Sequence, residues 1–148
     1  MLQLAMRITG LTEMEIESKR FTESLKPRTS GATIVALSGD LGAGKTTFVQ
    51  GVAKALGLET QITSPTFVIE KIYTLEGQQF KRLIHIDAYR LKEAHELEVL
   101  GWNEIANNSE NLILIEWPEK VAGLLPDGVI KIILTGVGDS REIQITYV

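Results

Sequence analysis

The run Gly39-Asp40-Leu41-Gly42-Ala43-Gly44-Lys45-Thr46, followed by Thr47, restricts this chain more than any other stretch. It satisfies the pattern G-x-x-x-x-G-K-[ST], in which each part has a chemical task. The glycines let successive backbone N–H groups turn inward as a nest that an anion fills. A helix leaving such a loop aims its positive end at the same point. Lys45 then reaches terminal phosphates, and the Thr46 hydroxyl suits Mg²⁺, which keeps water and phosphate oxygens as most of its ligands. The flanks agree. Thr33-Ile34-Val35-Ala36-Leu37 is a β-branched, apolar run that predicts a buried strand ending at the loop. Residues 44–56 place Phe48, Val49, Val52, Ala53 and Leu56 on one helical face, with Gly57 as the stop. An incidental glycine-rich turn explains neither flank. The stretch predicts a nucleoside-triphosphate site at a strand–loop–helix junction.

The rest of the chain supplies the sheet around that junction. Residues 2–8 read as a short strand. Thr12-Glu13-Met14-Glu15 has the form of a capping box, predicting a helix that runs to about Lys26 and ends at Pro27. Residues 59–65 read as a connection. Residues 66–75 and 80–87 are strand formers on either side of Gly77 and predict a hairpin. A short helix is expected from Glu93 to Leu100, stopped at Gly101. Asn111-Leu112-Ile113-Leu114-Ile115-Glu116 has the profile of a central parallel strand, and 118–125 that of a turn or short helix. Residues 129–134 and 142–148 read as a closing strand pair around residues 136–139. Helices between buried strands imply an α/β domain of three layers, with a central, mostly parallel sheet and antiparallel edge strands. The expected extent is a single domain, residues 1–148.

Composition narrows the function classes. A net charge of −4 argues against broad binding of nucleic acid or anionic membrane. With no cysteine there is neither a disulfide framework nor a thiolate zinc site. Residues 1–7 lack the features of a signal peptide, and no apolar run reaches membrane-spanning length, so a cytoplasmic setting is expected. The absence of N-K-x-D, the usual guanine reader, favours adenine.

Ligands of such sheets bind beyond the carboxyl ends of the strands, and two predicted strands end there in acids, Asp87 and Glu116. A phosphate-loop enzyme needs one acid for the metal's shell and often another group to place the attacking water. The residues alone leave open which acid takes the metal. Two readings are also open for several neighbours. Arg90 either reaches a phosphate or pairs with Glu93 or Glu96. His85 either faces the site or is a packed, hydrogen-bonded core residue. Trp117 either stacks near a base or a partner, or belongs to the core. Ser64-Pro65-Thr66-Phe67 reads as a switch loop or as a strand-entry turn. A small-molecule kinase, with Asp87 as base and Arg90 as clamp, is the alternative to an ATPase; the mixed sequence after Arg90 is unlike an arginine-rich lid.

Four blocks together resemble one family, TsaE (also called YjeE). They are residues 39–47, Ser64-Pro65-Thr66-Phe67, His85-Ile86-Asp87-Ala88-Tyr89-Arg90 and Glu116-Trp117-Pro118-Glu119. The resemblance implies a P-loop ATPase of tRNA threonylcarbamoyladenosine (t6A) synthesis, acting with TsaD and TsaB on adenosine 37 of tRNAs that read codons beginning with A. Those partners, rather than this chain, would hold the tRNA. It implies ATP phosphates on Leu41, Gly42, Ala43, Gly44, Lys45, Thr46 and Thr47, and Mg²⁺ on Thr46 and Glu116. It gives Asp87 and Lys45 catalytic roles, places Trp117 and Arg141 near the nucleotide, and makes residues 64–67 and 85–90 nucleotide-sensing switches.

Overall fold

The computed structural model describes residues 2–40, 42–58, 69–137 and 140–147. In chain order the elements are β1 (Leu2–Thr9), α1 (Gly10–Ser24), β2 (Thr33–Ser38), α2 (Lys45–Ala55), β3 (Glu70–Thr74) and β4 (Arg82–Asp87). There follow α3 (His95–Val99), α4 (Trp102–Ala106), β5 (Asn111–Glu116), a 3-10 segment (Pro118–Leu124), β6 (Ile130–Val137) and β7 (Ser140–Tyr147). The strands form one sheet in the order β1-β7-β6-β2-β5-β4-β3. Its four inner strands, β6, β2, β5 and β4, run parallel. The pairs β1–β7, β6–β7 and β3–β4 are antiparallel. This is the α/β sheet expected, with the parallel part at its centre.

Side-chain alternation splits the parallel strands between two cores. Val35 and Leu37 of β2, Leu112 and Leu114 of β5, and Ile132 and Leu134 of β6 pack with Phe21 of α1 and Phe48, Val49 and Val52 of α2. Ile34, Ala36, Ile84, Ile113 and Ile115 point the other way, against Leu97, Trp102 and Val121. The sheet is therefore the middle of three layers. Phe48, Val49 and Val52 are fully buried, each stabilising the α2 contact by about 1.5–3 kcal/mol. Helix α1 crosses α2 closely: a Cβ on Gly51 would lie 1.9 Å from Ser18 Oγ, so only glycine fits there.

Two local expectations change. Helix α1 starts at Gly10, so Thr12 lies inside it and caps nothing. The carboxylate of Glu13 instead reaches back to accept the Thr9 N–H at 2.5 Å. The helix also stops at Ser24, with Leu25 already extended before Pro27. Beyond Gly101 a further short helix, α4, was not evident in the sequence; Gly101 (φ 93°) both ends one helix and opens the next. The sequence-based connection at 59–65 and the start of the 66–75 strand lie largely outside the described residues.

Candidate functional site

The site lies where the parallel strands β2, β4 and β5 end and α2 begins. Between β2 and α2 the chain turns through Gly39 (φ 151°), Gly42 (φ 81°) and Gly44 (φ 105°), backbone states that side chains rarely adopt. Ala43 N–H closes the turn on the Asp40 carbonyl at 3.0 Å, and Phe48 N–H bonds the Gly44 carbonyl at 2.9 Å as the helix begins. Gly39 passes so close to β6 that a Cβ would sit 2.4 Å from the Leu134 carbonyl oxygen. No acid lies in the first turn of α2, so its positive end is left for an anion. Leu41 lies outside the described residues.

Lys45 is buried. Its ammonium donates to the carbonyls of Gly39 and, at 3.1 Å, of Asp40, and stands 4.2 Å from the centre of the Trp117 ring. Such cation–π contacts contribute about 0.5–2 kcal/mol. Burial pushes the amine's pKa down, while the charges of Glu116, Glu119, Asp87 and Asp40 pull it back up. Trp117 takes up its place because it is the one described non-glycine residue with positive φ (59°), a sharp turn straight after β5. Its N–H bonds the Leu37 carbonyl at 3.3 Å, and its ring leans on Tyr89 at 5.0 Å.

The two strand-end acids are register partners across β4 and β5. Alternation puts Leu83, His85 and Asp87, and likewise Leu112, Leu114 and Glu116, on the face that carries α2. Glu116 is only 2% exposed. One of its oxygens accepts from Thr46 Oγ1 at 3.4 Å, and the other lies 2.6 Å from His85 Nε2. Asp87 is half-buried, and its carboxylate accepts the Tyr89 N–H at 3.0 Å. Arg141 lies at the start of β7, and its guanidinium reaches the Gly42 carbonyl at 3.3 Å. Thr47 is half-buried in the first turn of α2.

The structure thus brings Lys45, Thr46, Glu116, Trp117 and Arg141 together around the loop, with Asp87 beside Glu116. Arg90 is exposed, and Glu96 accepts the Lys92 and Glu93 backbone N–H groups. Residues 64–67 lie outside the described residues. His85, left open in the sequence between facing the site and being a packed, hydrogen-bonded core residue, is buried and bonded to Glu116, a partner the sequence did not name. Among the described residues no three His, Cys, Asp or Glu side chains form a self-sufficient metal site. A hydroxyl and a carboxylate are instead hard oxygen donors, the set that suits a cation completing its shell with water and phosphate. A separate cavity of about 240 Å³, lined by residues including Ser24, Arg28, Thr33 and Tyr147, opens at the other end of the strands, away from this chemistry.

The family model for threonylcarbamoyl adenosine biosynthesis protein TsaE matches residues 12–143. The chain belongs to the TsaE family. Among curated members, the TsaE protein of Haemophilus influenzae is 38% identical over 128 residues, covering 86% of this chain and 78% of that one. The Bacillus subtilis protein is 36% identical over 149 residues, covering 100% of this chain and 88% of its own. The crystal structure of Bacillus subtilis YdiB superposes with a TM-score of 0.71 at 30% identity, covering 99% of this chain and 86% of that one. The fold is that of a P-loop nucleoside triphosphatase. No described helix is long and apolar enough to cross a membrane.

Proposed function

We propose that this protein binds ATP with Mg²⁺ and hydrolyses it slowly in support of t6A synthesis on tRNA, with its turnover stimulated by TsaD and TsaB homologues. The observation that carries the reading is the meeting of Thr46 with Glu116 beneath the loop, 3.4 Å apart, next to a buried Lys45. Loop amides from 42 to 47 and the start of α2 would receive the phosphates. Lys45 would exchange the Gly39 and Asp40 carbonyls for phosphate oxygens, a stronger charge-assisted bond. Thr46 and Glu116 would hold the cation, which when bound neutralises charge on the phosphates. Asp87, its carboxylate aimed by the Tyr89 N–H, would hold the water that attacks the terminal phosphorus as ADP leaves. Trp117 would border the nucleotide, and Arg141 would draw negative charge toward Gly42. An acidic chain suits a role in which partners hold the tRNA, and the family's role supplies the pathway.

The test is steady-state ATP hydrolysis by the purified chain, alone and with a matching TsaB–TsaD pair. A low basal rate that rises with the pair and is lost in Lys45→Ala is expected. A rate indifferent to both the pair and Lys45 overturns the proposal. Phosphate appearing on a metabolite instead of water would favour a kinase.

A further inference from the structure

We infer that His85 is a positioning residue for the metal-binding carboxylate: it holds Glu116 in the one orientation that leaves an oxygen beside Thr46. The inference deepens the ATPase reading and rests on it. His85 lies in the middle of β4, opposite Leu114 on one side and Lys71 on the other, and is fully buried. A carboxylate can only accept, so the 2.6 Å contact requires the proton on Nε2, donated to Glu116 Oε2. Among the described residues Nδ1 has no hydrogen-bonding partner. Among the described residues the imidazole thus makes one polar side-chain contact, and that contact goes to Glu116. A residue serving only to fill the core would more simply be apolar, like its neighbours Leu83, Leu112 and Leu114 on the same face.

The geometry explains what the contact achieves. Glu116 is the last residue of β5, and with one oxygen pinned by His85 its carboxylate plane is set. The remaining oxygen then points at the Thr46 hydroxyl, 3.4 Å away. Without the donor, the carboxylate can rotate toward the Lys45 ammonium, whose field it already feels. That rotation would take the oxygen away from Thr46. Partners of this kind, which orient a ligand instead of touching the metal, typically change metal affinity 10–100-fold when removed.

The experiment measures nucleotide binding by calorimetry across a Mg²⁺ titration and again in EDTA, for wild type, His85→Phe, His85→Gln and His85→Asn. Phe keeps the ring volume without the donor. Gln carries its amide N–H near the position of Nε2, whereas Asn stops short of it. The half-saturating Mg²⁺ concentration is expected to rise about 10–100-fold in His85→Phe, with ATP binding in EDTA unchanged and much of the Mg²⁺ response restored in His85→Gln. An unaltered Mg²⁺ dependence in a folded His85→Phe overturns the inference. Should that variant fail to fold, the Gln and Asn variants decide: equal Mg²⁺ dependence in the two overturns it, and a tighter response in Gln supports it. A wild-type chain whose ATP binding ignores Mg²⁺ would overturn the metal-site reading itself, a result distinct from the other two.

Discussion

Replacing Gly39 by alanine should destabilise the protein far more than the same change three residues later at Gly42. Both glycines have positive φ, 151° and 81°. A residue with a Cβ loses about 1–2 kcal/mol in the left-handed region near Gly42, and no less at the larger φ of Gly39. Their surroundings differ. A Cβ on Gly42 meets nothing within 4 Å, but one on Gly39 falls 2.4 Å from the Leu134 carbonyl oxygen and 3.2 Å from Ala43 Cβ. A carbon and a carbonyl oxygen normally approach no nearer than about 3.3 Å, so strand β6 or the loop must retreat by about 1 Å. The obstacle is backbone, which cannot rotate away as a side chain would. Overpacking of this sort adds about 1–3 kcal/mol. Gly39→Ala should therefore lose about 2–5 kcal/mol and Gly42→Ala about 1–2 kcal/mol. In urea denaturation without nucleotide, a 2 kcal/mol gap at a slope of about 2 kcal/mol per molar separates the two midpoints by about 1 M. Equal midpoints would refute the reasoning, because the approach to β6 would then carry no energetic weight.

Glu70, half-buried at the start of β3, has a carboxyl oxygen with no hydrogen-bonding partner among the described residues, and burial raises its pKa. Its protonated form favours the fold, so this contribution is complete below the unfolded carboxylate pKa of about 4.3 and is lost as pH rises through the raised value. Glu70→Gln should gain stability over wild type as pH goes from about 4 to neutrality, read as the difference in urea midpoint; a difference that stays constant with pH would refute this. Trp117 stands 4.2 Å from the Lys45 ammonium, whereas Trp102 is buried on the opposite face with its indole N–H on the Leu124 carbonyl at 3.3 Å. A tryptophan fluorescence change on adding ATP should survive Trp102→Phe and vanish in Trp117→Phe, and the reverse pattern would place the nucleotide elsewhere.

Local signals carried the loop, the strand before it and the helix after it, since glycine spacing and a 3.6-residue apolar period act within a few residues. All five residues assigned to the inner face of α2 are indeed buried. The continuous run at 111–116 revealed β5 for the same reason: a strand covered on both faces has no polar side to show. What could not be read are relations set by distant pairing. Nothing near residue 85 announces Glu116, and nothing near residue 141 announces Gly42; both contacts follow from strand order and register. The cap of α1 was misplaced because Thr12-Glu13-Met14-Glu15 fits the capping-box pattern, whereas at the true boundary the acid that folds back on Thr9 is Glu13, four residues on and outside that pattern. Trp117 beneath Lys45 depends on a left-handed backbone state that a tryptophan rarely adopts, so propensity argues against the turn that the tertiary structure imposes.

The sheet order has a consequence for how the chain is assembled in time. Among the described residues strand β1 has one strand neighbour, β7, with Leu2 opposite Tyr147 and Thr9 opposite Ser140. On a ribosome adding about 5–20 residues per second, the opening strand waits on the order of 10 s for its partner to appear. Meanwhile α1 can dock on α2 and the four parallel strands can gather, leaving β1 as a tethered ribbon with open hydrogen-bonding edges. The β1–β7 seam joins the two ends of the described chain, so the slot beside β7 can be filled only after β7 itself has been made.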